Sequence, residues 1–388
     1  MRLRHATVRR IRSERPGVLE LAVDVEEPDG PAEPGTRAGP ELAVAFTELV
    51  GPVGPGDRVL VNTTAVALGL GTGGFHLVVA VSDQAPTELG HPGRIVKARY
   101  TPLQAAVQGV EETDRDALER SAGLGRRPVV CAPLHSMIGP IAAGARAAGA
   151  ARIAYVMTDG AALPGRLSNL VPRLRAAGLL DGFVTCGQAF GGELEAVTIW
   201  TGLLAAVELV AADVVIVADG PGNIGTETTW GVSALGSGHA LNAAETLGGR
   251  PVAALRISFA DARERHRGVS HHSITILDRV CRVAADVAVP VLEGPERDLV
   301  WNALRERHLE ERHQLVEVGG RPALDELERS GVEVDSMGRT APDDPAFFLA
   351  AGAAGILAGR MAVRSRGWRE SAGSPPHGGG DERESPAR

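Results

Sequence analysis

Five apolar runs constrain the fold more than any other feature: Val129 to Leu134, Ile153 to Met157, Phe183 to Cys186, Val214 to Ala218 and Val252 to Ile257. None of them alternates apolar with polar residues, and strands buried on both faces read this way. Between them lie helix-like segments: Ile138 to Ala148, Arg166 to Ala177, Glu193 to Val210 and His239 to Leu247. This rhythm predicts an α/β fold with a mostly parallel, Rossmann-like open sheet and helices on both faces.

The first hundred residues read differently. Thr7 to Ile11 and Leu19 to Val25 are strand-like runs flanking the turn Arg15-Pro16-Gly17. Pro28 to Pro40 is rich in Gly and Pro and reads as a loop. Gly54-Pro55-Gly56-Asp57 turns the chain into Arg58 to Asn62, and Gly69 to Gly74 separates that strand from Phe75 to Val81. Short strands with Gly/Pro turns predict a small N-terminal β-barrel or sandwich-like domain. The expected organisation of the 388 residues is a β domain at 1–100, the α/β domain at 101–365 and a disordered tail at 366–388. Past His272 the pattern predicts a helix at Leu299 to Glu311, a strand at Leu315 to Val318 and a last helix at Ala346 to Met361. Asp343-Asp344-Pro345 opens that helix.

Composition excludes several functions. A formal net charge of -8 argues against nucleic acid as a partner. Lys97 is the only lysine, so no GxxxxGK[ST] phosphate loop can form, and Schiff-base chemistry has only Lys97 to use. Cys131, Cys186 and Cys281 contain no CxxC pair, which removes a cysteine-rich zinc site. The start shows no apolar signal region, and the apolar stretch Pro345 to Gly359 is short for a bilayer. A cytoplasmic protein without a membrane partner is expected.

In open α/β sheets, ligands bind beyond the carboxyl ends of the strands. The runs end in His135-Ser136, Thr158-Asp159-Gly160, Gly187-Gln188, Asp219-Gly220-Pro221-Gly222, and Ser258 followed by Asp261 to His272. These ends predict a crevice lined by His, Asp, Ser and backbone amides. His135, Asp159, His271 and His272 are the acid/base and orienting candidates, since imidazole titrates near neutral pH. Ser136 reads as a helix cap. Gly220, Gly222, Asn223 and Gly225 belong to a GxGxxG turn suited to an anionic cofactor or oxyanion. That motif is weak: with 49 glycines, chance supplies about one match, and Gly69 to Gly74 is another. No clear helix follows it, so NAD is not expected. Asp219, Asp261 and His266 are metal-ligand candidates, with His271 and His272 also in reach. The competing reading is a hydrogen-bonded loop in which Arg263, Arg265 and Arg267 hold an anion.

VLVNTTAVALGLGTGGFHLVVAV, LHSMIGPIAAG, YVMTDGAALP, FGGELEAV, DGPGNIGT and RISFADARERHRGVSHH resemble, in that order, segments of the bacterial domain-of-unknown-function 3866 family. The resemblance runs from about residue 2 to about residue 360. It implies a family member of ordinary architecture and no activity, so no catalytic residue is carried over. The functional expectation rests on the strand ends alone. It is an enzyme, a hydrolase or group-transfer catalyst, acting on a small polar or phosphorylated molecule, with a divalent metal as candidate cofactor. Homo-oligomers fit this class. The alternative is a non-catalytic metabolite-binding or scaffold protein.

Overall fold

The computed structural model describes residues 1–26, 40–69, 74–82 and 93–372. The expected loop at Pro28 to Pro40 except its last residue, most of the Gly69 to Gly74 turn and the tail from residue 373 lie outside the described residues.

The N-terminal strands close a barrel in the order β1-β2-β3-β5-β4. They are β1 (Leu3–Arg15), β2 (Val18–Val25), β3 (Glu41–Phe46), β4 (Arg58–Asn62) and β5 (Phe75–Val81). Register shifts at Val8/Arg10 and Ile11/Ser13 bend β1, so one strand pairs with both β2 and β4. Small apolar residues such as Val8, Leu21, Ala43, Val59 and Val61 fill the interior, as the narrow bore of a five-stranded barrel requires.

A hairpin follows, β6 (Ile95–Lys97) with β7 (Ala105–Val107). Lys97 is 1% exposed; its ammonium donates to the Ala189 and Ala196 carbonyls and lies 3.4 Å from Glu195. The one lysine thus fastens this hairpin to the α/β unit, and the boundary expected at residue 100 falls inside it.

The second unit is an all-parallel sheet of eight strands. In chain order these are β8 (Pro128–Cys131), β9 (Ile153–Thr158), β10 (Gly182–Thr185), β11 (Leu194–Glu195), β12 (Val214–Asp219), β13 (Arg250–Ala254), β16 (Asp286–Pro290) and β17 (Gln314–Val318). Their spatial order is β11-β10-β9-β12-β8-β13-β16-β17. Side chains alternate between two cores. Val130, Tyr155 and Ile216 meet helices Ile138–Ala147, Leu170–Ala176 and Pro345–Ala372. Val129, Val156 and Val217 meet helices Ile199–Glu208, Gly236–Thr246 and Gly294–Arg305. Both faces are therefore covered, which explains the unbroken apolar runs.

Four features depart from expectation. The segment Glu193 to Val210, read as helical, begins with strand β11, and its helix covers only Ile199–Glu208. The run Val252 to Ile257 is not one strand: the sheet releases the chain after Ala254, and β14 (Ile257–Ser258) pairs antiparallel with β15 (Gly268–Val269). The helix Arg321–Ser330 was not anticipated; its polar sequence buries only Ala323, Glu326 and Leu327. The last helix runs to Ala372, into residues expected to belong to the tail. Its 345–366 stretch has the length and composition to cross a membrane, yet 83% of its apolar window is buried in the protein. There it lies so close to helix Ile138–Ala147 that a Cβ on Gly355 would sit 2.0 Å from the Ile141 carbonyl oxygen.

Candidate functional site

The connection leaving β8 passes over β12 to reach β9, and the connection leaving β12 passes back over β8 to reach β13. Where neighbouring connections diverge, the strand ends leave a crevice. A cavity of about 610 Å³ occupies that place, lined by His135, Ser168, Asn223, Arg256, His266 and His272 among others. Arg173, Arg263, Gly222 and Gly225 also line it, as do Ser136, Asn169, Asp335 and Ser336.

His135 follows β8 and is held from both sides. Its Nδ1 lies 3.2 Å from the Tyr155 hydroxyl and its Nε2 lies 2.8 Å from Ser168 Oγ. Tyr155 is fully buried and donates to the Asp219 carbonyl at 3.0 Å, so its oxygen is free to accept from His135 Nδ1. Ser168 accepts from the Val171 amide at 3.1 Å, which leaves its hydroxyl proton for His135 Nε2. Burial draws the His135 pKa down to about 4. The barrel reaches this corner as well: Arg15 donates to the Ser168 carbonyl, and Arg166 bonds Glu48 and the Pro16 carbonyl.

The two aspartates at strand ends are engaged below the surface. Asp219 accepts from Thr158 Oγ1 (2.6 Å), the Gly160 amide (3.0 Å) and Asn223 Nδ2 (2.9 Å), and burial raises its pKa against these bonds. Asp159 accepts from the Gln188 amide at 2.7 Å and so orders the end of β10 rather than the cavity wall. Ser136 does not cap a helix: its hydroxyl meets Ser336 at 2.9 Å, joining β8 to the segment before the last helix.

The GxGxxG turn forms the floor. Gly222 has φ +91°, a conformation L side chains avoid, and faces the cavity with no heavy atom within 4 Å of where a Cβ would sit. Gly225 abuts the His272 ring. Gly220 lies outside the cavity lining, against the Ala162 carbonyl. The Ile224 and Thr226 amides bond Ser233 Oγ and the Gly231 carbonyl, closing a loop instead of opening toward a phosphate.

The histidine loop is folded by arginine and serine. Arg256 is 4% exposed; its amide donates to Ser273 Oγ and its carbonyl accepts from Ser270. Its guanidinium pairs with Asp261 at 2.8 Å and lies 3.3 Å from His266 Nδ1. Asp261 also takes two bonds from Arg263. Those bonds, with Arg256 close by, hold its carboxyl well below the usual range. Ser270 caps the turn His271–Thr275 through the His272 amide, and its hydroxyl meets His266 Nδ1 at 2.8 Å. The pairing of β14 with β15 brings His266 back onto His271 and His272, with ring centroids 4.0–5.2 Å apart. Burial, with neighbouring arginines, draws His266 down to about 3, and burial with His271 and Arg256 draws His272 down to about 4. Burial, then Arg265, lowers His271.

The crevice thus gathers His135, His266, His272, Gly222, Asn223 and Gly225 of the residues anticipated from sequence. Asp219 supports it through Asn223, and Asp261 through Arg256. Sequence reasoning missed Tyr155, Ser168 and Arg256. Tyr155 and Arg256 sit within apolar runs; the signal available was their polar ends in otherwise apolar surroundings.

A protein-family model described as "Protein of unknown function (DUF3866)" matches residues 42–355, from β3 into the last helix. No curated protein and no solved structure matches the chain.

Proposed function

Since the chain belongs to the DUF3866 family, a family described as of unknown function, we propose a function from the site alone: an enzyme that hydrolyses, or transfers a group from, a small anionic molecule held in the crevice. The observation that carries this reading is the 2.8 Å contact between Ser168 Oγ and His135 Nε2 at the cavity wall. A hydroxyl that donates to an imidazole already fixed on its other nitrogen is the arrangement needed to activate that hydroxyl or a water. Arg173, Arg256 and Arg263 line the same cavity and favour a phosphate or carboxylate on the substrate. The buried, unpaired state of Cys131, Cys186 and Cys281 supports a cytoplasmic setting.

One observation favours non-catalytic binding of such a molecule. With its pKa near 4, His135 is neutral at pH 7 and a weak base. A panel of phosphate monoesters and carboxylic esters, assayed beside inorganic phosphate binding, separates the two. Turnover that falls at least about 100-fold in both Ser168→Ala and His135→Gln supports catalysis. Phosphate binding without turnover supports the binding protein, and neither result sinks both.

A further inference from the structure

We propose that His266, His271 and His272 form a site for a divalent transition metal, zinc by its donor chemistry, with an open position facing the crevice. Each residue offers one ligand atom, and these atoms lie within 4.8 Å of one another. His266 is 1% exposed and His272 6% exposed. The Nε2 atoms of His271 and His272 are buried and find no hydrogen-bond partner among the described residues. A buried ring nitrogen left without a partner costs free energy, and a metal ion supplies what both lack. Tetrahedral zinc needs nitrogens about 3.3 Å apart, given bonds of about 2.0–2.1 Å, so binding draws the rings together.

The surroundings agree with this donor set. Ser270 Oγ, 2.8 Å from His266 Nδ1, is the outer partner that orients a ligating imidazole through its other nitrogen. Arg256 lies farther off, at 3.3 Å, and pairs with Asp261, which it shares with Arg263, while Arg265 pairs with Glu227 at 3.0 Å. Of the ligands considered from sequence, the proposed set keeps the three imidazoles and leaves out Asp219 and Asp261. Both of those acids already accept internal hydrogen bonds. Three neutral nitrogens leave the ion its full charge, and His266 and His272 line the cavity, so the fourth position takes water or an anionic oxygen there. The substrate side of this inference rests on the function proposed above; metal binding itself does not. In the opposite tautomer, with Nδ1 accepting from Arg256, His266 presents an N–H, and the cluster takes anions and no metal.

The test uses untagged, full-length protein, treated with chelator and titrated with Co²⁺ alone, then with Zn²⁺ in competition. The expected result is one equivalent of Co²⁺ with an intense four-coordinate visible spectrum, displaced by Zn²⁺. His271→Gln and His272→Gln should each weaken binding at least about tenfold. His239→Gln, on the exposed side of helix Gly236–Thr246, should leave it unchanged. Absence of a saturable equivalent, or equal binding in both cluster variants, overturns the proposal. If a cluster variant does not fold, the wild-type spectrum decides, and a weak six-coordinate band overturns it. A bound equivalent in a protein that neither turns over nor binds an anion removes the proposed function and leaves the metal site. Turnover with no metal bound does the reverse.

Discussion

Two histidine environments share one cavity and differ in their hydrogen bonds and in the charge around them. His135 has both ring nitrogens engaged, one by Tyr155 and one by Ser168. On the other side, His272 at the lining and His271 behind it each keep a buried Nε2 with no partner among the described residues. Burial lowers the pKa in both places, so desolvation does not distinguish them. What differs is the hydrogen-bonding company, and the arginines that add to the lowering at His266, His271 and His272. A ring flanked by hydroxyls is fixed and can pass a proton. A group of rings with spare lone pairs is arranged for something that accepts several of them at once.

The comparison breaks most severely at Asp261. Asp261→Ala leaves the buried guanidinium of Arg256 without its counter-ion, and a loss of about 3–5 kcal/mol in urea denaturation is expected. The His135 side should be untouched, so its pH dependence should persist in that variant. That dependence is the second test. Folded His135 has a pKa near 4 against an ordinary 6.5, so the unfolded chain takes up this proton first as pH falls. Its contribution is full above about pH 6.5 and is lost toward pH 4, on the order of 2–3 kcal/mol. In His135→Gln, stability measured across this window should fall less steeply by that amount.

Smaller effects sharpen the contrast. Ser168→Ala removes both a cap for the following helix and the partner of His135 Nε2, and should cost about 1–2 kcal/mol in thermal or urea unfolding. His271→Gln in chelator-treated protein should change stability by less than about 1 kcal/mol, because its Nε2 makes no bond to lose. A cost above that of Ser168→Ala would mean the cluster is a structural network like that of His135.

Much of the sheet was legible because burial on both faces writes itself into consecutive residues: Ile153 to Met157 and Val214 to Ala218 have no polar side to show. The last strand-like run misled because Leu255 and Ile257 are as buried as a strand interior, although the chain has already left the sheet. Arg256 between them carried the information, as a charge that only Asp261 and the returning histidine loop could accommodate. Helix Arg321–Ser330 escaped notice because its short apolar face, Ala323 and Leu327, is outnumbered by charge.

The amino-acid sequence by itself determined the α/β rhythm, the small β-unit before it, and the polar residues delivered to one edge of the sheet. Periodic burial is a local property, set by which neighbours along the chain share a face. Only the tertiary structure decided that β12 lies between β9 and β8, that Ser168 rather than Ser136 meets His135, and that His266 folds back onto His271 and His272. Those outcomes depend on strand order and on contacts between residues 33 to 200 positions apart in the two serine cases. No local periodicity encodes them, because long-range pairing is chosen by the whole core at once.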